Sequence, residues 1–169
     1  CVGYYLANVI LAPKNGWSLL TTAGNIQIEK IDFENFKIGM TEISQHKSTK
    51  GAFFDTGVPH LVLELENYEN YKSKKSEALA LRFHPEFSPK GTNVTYVELA
   101  EDLNKMKAVS YERGVEDFTE ACGTGAMAAA MYNLIKRGSI KTEVEMPGGT
   151  LIMDLADIKK PKMTGPAKL

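Results

Sequence analysis

Apolar and polar positions change rhythm several times along this chain, and each change marks an element. In the opening segment CVGYYLANVI, Val2, Leu6, Val9 and Ile10 fall on one side of a helix. That helix should stop near Ala12, because Pro13 disfavours helix in the residue before it and Asn15-Gly16 is a turn signal. Alternation of period two then predicts antiparallel strands in WSLLTT, NIQIEKI and FKIGM, broken by Ala23-Gly24 and by DFEN. QHKSTKGA reads as a polar link, and AFFDTG and HLVLELEN as two strands joined by Gly57-Val58-Pro59. KKSEALALRFH predicts a helix with Ser76 as its N-cap. TNVTYVEL and KMKAVSYERG predict strands on either side of an AEDLNK turn. The strongest helical pattern runs from about Gly123 to Arg137, where Ala126, Met127, Ala130, Met131 and Leu134 form one apolar stripe. Lys136 and Arg137 complement its C-terminal dipole, and Gly138 suits the C′ position. TEVEMPGGTLIMDL predicts a hairpin about Pro147-Gly148-Gly149, and a further strand begins in KMTGPAKL.

Many strands and few helices, without regular strand-helix alternation, predict an α+β fold with a mixed or antiparallel sheet around a central helix. The length of 169 residues allows one or two domains. Hydrophobic content of 43% and charged content of 24% are those of an ordinary folded protein. A net charge of -1 with scattered lysines gives no field for nucleic acid and no polybasic membrane anchor. No apolar run is long enough to span a bilayer. Two cysteines so far apart, Cys1 and Cys122, make no disulfide framework and point to reduced thiols in the cytosol. Each lies beside a predicted helix followed by strands, an echo better read as coincidence than as duplication. The start without Met or signal pattern, and the abrupt end, read as part of a longer chain or as one with missing parts.

The segment TEACGTGAMAAAMY places Cys122 at the mouth of the strongest helix. A helix N-terminus carries partial positive charge and free N–H groups, which favours a thiolate and lowers the thiol pKa. The same N–H groups can bind a carboxylate. Gly123 and Gly125 let a ligand approach the backbone, and Thr124 adds a hydroxyl. Two readings stay open on this stretch: a base beside an anion cradle, or a small buried residue filling a helix cap. Upstream, Glu112 ends a strand and Arg113-Gly114 begins a loop. A carboxylate there can take a thiol proton or hold a substrate ammonium, and an arginine can clamp a carboxylate. The same two residues also read as a solvated charge pair, with Glu116, Asp117 and Glu120 as the acidic, solvent-facing part of the loop. His60, at the start of an apolar strand, reads as a packed or surface residue more readily than as a catalyst. Asn93, at another strand start, can cap a turn or bind a ligand. His46 and His84 read as structural or surface residues. The histidines and cysteines show no metal-ligand spacing, so no metal is implied.

In order along the chain, these segments resemble the diaminopimelate epimerase family. LLTTAGNIQIEK is similar to its Thr-x-Ala-Gly strand pair, DTGVPHLVLELEN to its Gly-Asn-Pro-His strand, and PKGTNVTYVEL to its asparagine strand. YERGVEDFTEACGTGAMAAA resembles its signature segment, and MPGGTLIMDL and MTGPAKL its closing strands. Glu-Arg-Gly followed by Ala-Cys-Gly-Thr-Gly is the most specific of these. The resemblance implies two similar lobes, each a sheet around a central helix, with the active site in the cleft between them. Residues 1–38 would be the remnant of the N-terminal lobe, 39–162 the C-terminal lobe, and 163–169 the start of a strand returning to the first. It further implies a cytoplasmic, homodimeric isomerase of lysine and peptidoglycan-precursor biosynthesis. That enzyme converts LL- to meso-diaminopimelate by proton transfer between two cysteines, without pyridoxal phosphate or any other cofactor. Its partner is a small amino-acid substrate, not nucleic acid or membrane. By resemblance, Cys122 is one proton carrier, with His60 and Glu112 tuning the thiols. Glu112, Arg113 and Asn93 would hold the distal end of the substrate, and the backbone of Gly123 and Thr124 its α-carboxylate.

Three departures from the family pattern set further expectations. Cys1 matches a non-catalytic position, so the second catalytic cysteine is expected upstream of it, and the 169 residues alone should be inactive. Val58 stands where an asparagine is expected, which motivates a racemase of another amino acid as the nearest alternative. The loop from Glu112 to Cys122 is one residue longer than the commonest form. A non-catalytic ligand-binding homologue is the alternative from another class.

Overall fold

A computed structural model describes residues 16–21 and 24–167. The opening helix predicted up to Ala12, and Cys1 with it, lie outside the described residues. Three antiparallel strands come first: β1 (Gly16–Thr21), β2 (Gly24–Lys30) and β3 (Asn35–Gly39). Next come β4 (Ser44–His46), β5 (Ala52–Asp55) and β6 (Pro59–Glu64). A 3-10 segment, Tyr68–Lys74, leads into helix α1 (Lys75–Arg82). Then follow β7 (Asn93–Leu99), β8 (Lys105–Glu112) and the short β9 (Asp117–Thr119). Helix α2 (Gly123–Arg137) precedes β10 (Lys141–Met146), β11 (Gly149–Asp154) and β12 (Lys162–Pro166).

All the strands of the described residues join one sheet, in the order β1-β2-β3-β12-β11-β10-β8-β7-β6-β5-β4, with β9 on β8. Pairing is antiparallel except for β6 with β7 and β8 with β10. The sheet is therefore mixed, and few helices pack on it, as the strand-rich pattern predicted. Each parallel pair is joined by a crossover, the first through α1 and the second through α2, on opposite faces.

Period-two alternation in β7 and β8 explains how both faces are covered. Val94, Tyr96, Val109 and Tyr111 pack with Tyr68 and Ala78 on the α1 side. Val97, Met106 and Ala108 pack with Val62 and Phe54 on the α2 side. The predicted stripe on α2 proves too narrow. Ala128 and Ala129 are buried along with Ala126, Met127 and Ala130, because the sheet curls around the helix. Alanines at these places keep the helix thin enough for strands to approach from several sides. Gly138 ends the helix in the left-handed region at φ 77, the C′ role expected of it.

Several local expectations need correction. Ser76 caps nothing, since α1 grows directly out of the 3-10 segment. The side-chain cap belongs to Asn67, which accepts from the Glu69 N–H. QHKSTKGA is not wholly a link, because Ser44–His46 pairs with β5 as an edge strand. The loop after Glu112 is a hairpin, since Asp117–Thr119 pairs back on β8.

Candidate active site

Three strand ends and one helix start meet at the same end of the sheet. His60, the second residue of β6, lies beside Asn93, the first of β7. Glu112 is the last residue of the antiparallel β8, so it reaches the same end. Cys122 is the N-cap of α2, with its backbone extended at φ -137. Along the face toward α2, Asn93 and Thr95 on β7 continue into apolar Val97, and Ser110 on β8 continues into Ala108 and Met106. The apolar lining of the core thus turns polar where α2 begins.

His60 is fully buried. Its Nδ1 lies 2.8 Å from Thr95 Oγ1, and its Nε2 lies 3.0 Å from Thr124 Oγ1 and 3.2 Å from Asn93 Nδ2. Burial, with the nearby positive Arg113, lowers its pKa from 6.5 to about 3. It stands as a neutral imidazole at neutral pH.

The Cys122 sulfur accepts from the Gly125 N–H at 3.4 Å and lies 3.5 Å from Thr124 Oγ1. The pKa lowering expected from the helix terminus is reversed. Burial pushes the thiol up from 9.0 and the Glu112 charge adds to this, outweighing hydrogen bonds from Thr124, Gly125 and Ser110. Burial thus lowers the His60 pKa and raises that of Cys122, so both shifts disfavour a proton passing from the thiol to the imidazole. His60 contacts Thr95, Thr124 and Asn93 by hydrogen bonds.

The remaining expected residues gather around this pair. The side-chain carbonyl of Asn93 accepts from the Arg113 N–H at 2.7 Å. The half-buried Arg113 guanidinium has no carboxylate partner among the described residues. Glu112 is half-buried, and its carboxylate accepts from the Thr119 hydroxyl. No acceptor among the described residues meets the backbone N–H of Gly123 or Thr124, so both remain free for an anion. Thr56 fastens the β5–β6 turn to α2 by donating to the Thr124 carbonyl at 3.0 Å. Val58 is half-buried in that turn, and its carbonyl accepts from the Thr56 N–H.

His46 and His84 stay outside the site. His46 meets Ser44 Oγ on the edge strand, and His84 accepts from the Glu86 N–H. Glu116 is not simply solvent-facing: it accepts from the buried Arg82 at 3.1 and 3.2 Å and from the Gly114 N–H. Asp117 is exposed and pairs with Lys75. Among the described residues, no group of His, Cys, Asp and Glu is placed to hold a metal ion. An open groove of about 1150 Å³ runs along β1–β3, lined by Trp17, Ile28 and Lys160 among others. None of the residues around Cys122 lines it.

Sequence reading missed Thr95, Ser110 and Arg82. A signal existed for the first two: each puts a hydroxyl on a strand face otherwise apolar in the period-two pattern. Gly125 was read as room for a ligand, but its space is already taken. A Cβ there would lie 2.1 Å from Ser110 Oγ and 3.2 Å from both Cys122 Sγ and His60 Cε1.

The family model described as Diaminopimelate epimerase matches residues 52–169, more than half of the chain. The chain belongs to the diaminopimelate epimerase family. It is 43% identical over 121 residues to the diaminopimelate epimerase of Aquifex aeolicus (strain VF5), covering 68% of this chain and 42% of that one. Over 183 residues it is 31% identical to the diaminopimelate epimerase of Hydrogenobaculum sp. (strain Y04AAS1), covering 98% of this chain and 64% of the relative. The matched parts of the chain thus span 42% and 64% of the length of these two epimerases. In fold it is similar to a phenazine biosynthesis protein of the PhzF family from Bacillus anthracis, with a TM-score of 0.77 at 12% identity, covering 98% of this chain and 70% of that one. All seven residues expected from the epimerase resemblance lie at the end of the sheet where α2 begins.

Proposed function

We propose that, in the whole protein, this chain supplies one of two proton carriers of an epimerase converting LL-diaminopimelate to the meso form. The observation that carries this reading is the setting of Cys122: a sulfur at a helix N-cap, beside the free N–H groups of Gly123 and Thr124. An amino-acid α-carboxylate accepting from those two groups brings the α-carbon beside the sulfur. Fixed dipoles at the carboxylate stabilise the carbanion-like charge that develops as the α-proton leaves. Burial keeps Cys122 protonated near neutral pH, so it enters this turnover as the thiol that delivers a proton. A second sulfur, expected upstream of Cys1, removes the α-proton from the opposite face, and the roles exchange in reverse. Arg113, Asn93 and Glu112 hold the distal amino-acid end. On this reading residues 39–162 form the lobe that carries Cys122, and residues 1–38 and 163–169 belong to or return to the other lobe. The family resemblance adds a cytoplasmic homodimer that works without pyridoxal phosphate.

The test is Cys122→Ala in the whole protein, followed by epimerisation of LL-diaminopimelate and by exchange of its α-proton with deuterated solvent. Turnover should fall by about 10³-fold with the circular dichroism unchanged. Full turnover by the variant sinks the proposal. A panel of other amino acids checks the substrate, and faster turnover of any of them would replace diaminopimelate.

A further inference from the structure

One short hairpin carries Glu112, Arg113 and Thr119. Asp117 pairs with Glu112 and Thr119 with Ser110, so β9 returns antiparallel along β8. Residues opposite one another share a face of the sheet, and each strand alternates faces. Phe118 decides which way β9 turns. Its ring lies edge-on to Tyr71 and Tyr111, with centroids 5.2 and 5.6 Å away, on the α1 side. A slip of one residue would send Phe118 to the α2 side and a polar neighbour among the tyrosines. With Phe118 so placed, Thr119 faces the α2 side beside Glu112. Glu112 continues the row of Met106 and Ala108, which pack with α2, and of Ser110, which lies against Gly125.

The half-buried Thr119 donates its hydroxyl hydrogen to Glu112 Oε1. A carboxylate only accepts, so the direction of this bond is fixed. Among the described residues, Glu112 has no other side-chain hydrogen bond, and its second oxygen is not buried. We infer that Thr119 is a positioning residue for Glu112: it holds one carboxylate oxygen and leaves the other turned to the ammonium group at the distal end of the substrate. The inference rests on the proposed reading, in which Glu112 binds that end. A free glutamate samples many rotamers and must be ordered when a ligand binds, whereas the threonine orders it beforehand. The hydroxyl itself is fixed from both directions. Toward the turn, the Glu116 N–H donates to the Glu112 carbonyl at 2.8 Å and closes the hairpin. Toward α2, the Glu120 carbonyl accepts from the Gly148 N–H at 2.6 Å, and the Cys122 N–H meets Met146 Sδ at 3.5 Å. Thr119 thus ties the carboxylate at the end of β8 to the strand that leads into Cys122.

The test measures binding to the whole protein, in a Cys122→Ala background so that the ligand is not turned over. Two ligands are titrated by calorimetry: LL-diaminopimelate, and L-2-aminopimelate, which lacks the distal amino group. Thr119→Val should raise the Kd for LL-diaminopimelate about three- to tenfold, the cost of ordering one long side chain on binding. It should leave the Kd for L-2-aminopimelate unchanged, and Thr119→Ser, which keeps the hydroxyl, should restore the binding of LL-diaminopimelate. Once Glu112→Ala is in place, adding Thr119→Val should change neither Kd. Equal weakening of both ligands, or of neither, overturns the inference, because a threonine that only supports the fold does not tell them apart. If Thr119→Val does not fold, Thr119→Ala is compared in the same way. Failure of LL-diaminopimelate to bind before Thr119 is altered overturns the epimerase reading and the inference together, whereas normal binding with an indifferent Thr119→Val overturns the inference alone.

Discussion

Protonating His60 in the folded chain puts a cation where no water reaches, close to Arg113. The fold therefore holds the imidazole pKa at about 3, against 6.5 for the exposed side chain. The sign follows from linkage: a depressed folded pKa leaves stability whole above 6.5, and stability is lost as pH falls toward about 3. At pH 5 the loss from His60 alone is about 2 kcal/mol. Glu64 and Glu86, whose pKa values are lowered, release stability only below their ordinary 4.5, so the window above that isolates the imidazole. Urea midpoints at pH 7 and pH 5 check this. The drop should shrink in His60→Gln, and an equal drop in both proteins would show that the imidazole is not held neutral. The same residue-scale physics reverses the expectation for Cys122. A helix N-terminus offers partial charges only, and burial of the sulfur beside Glu112 outweighs them.

Among elements, α1 does most to set the loops of the site, through one side chain. Arg82 is buried at the end of α1 and donates to Glu116 and to the Lys90 carbonyl, and its own carbonyl accepts from the Thr92 N–H. Glu116 in turn accepts from the Gly114 N–H, next to Arg113. One arginine thus ties the turn that presents Arg113 to the turn that leads into Asn93. Gly91 completes the fit: a Cβ there would stand 2.0 Å from Arg82 Nη1, and its φ is +70. Arg82→Met should cost about 1–2 kcal/mol, less than a fully buried pair because the Glu116 side chain is 36% exposed. In the whole protein it should raise the substrate KM several-fold with a smaller change in kcat, because it displaces binding loops and not the sulfur. Steady-state kinetics with thermal melts check both, and unchanged KM would remove Arg82 from this role.

For the whole molecule, β12 is the strand that makes one sheet of two groups. It pairs with β11 on one side and β3 on the other, and Met163 packs over Gly123 at the start of α2. Thr164 faces Ile152 and Lys37 across these ladders. Thr164→Pro should therefore cost about 3 kcal/mol or more. Hydrogen exchange should then show β1–β3 opening before β7 and β8, and uniform protection would sink that order. Much of this architecture was legible beforehand. Alternation in NVTYVEL and KMKAVSYE, turn residues at Pro147-Gly148-Gly149 and the span from Gly123 to Gly138 are local signals, and local backbone physics fixes them. The resemblance of short motifs also named seven residues that the fold brings to one end of the sheet, and the roles it implies for them are the proposal above. What the sequence by itself determined is therefore most of the strands, though not β4 or β9, the helix α2 and the identity of the groups at its mouth. Tertiary structure alone decided the partner of each strand, the pairing of Glu116 with the buried Arg82, the burial of the hydroxyls of Thr95 and Ser110, and the direction in which the Cys122 pKa moves. The reason is range: periodicity and turn chemistry act over a few neighbouring residues, whereas burial and hydrogen-bond direction depend on groups that only the folded sheet brings together.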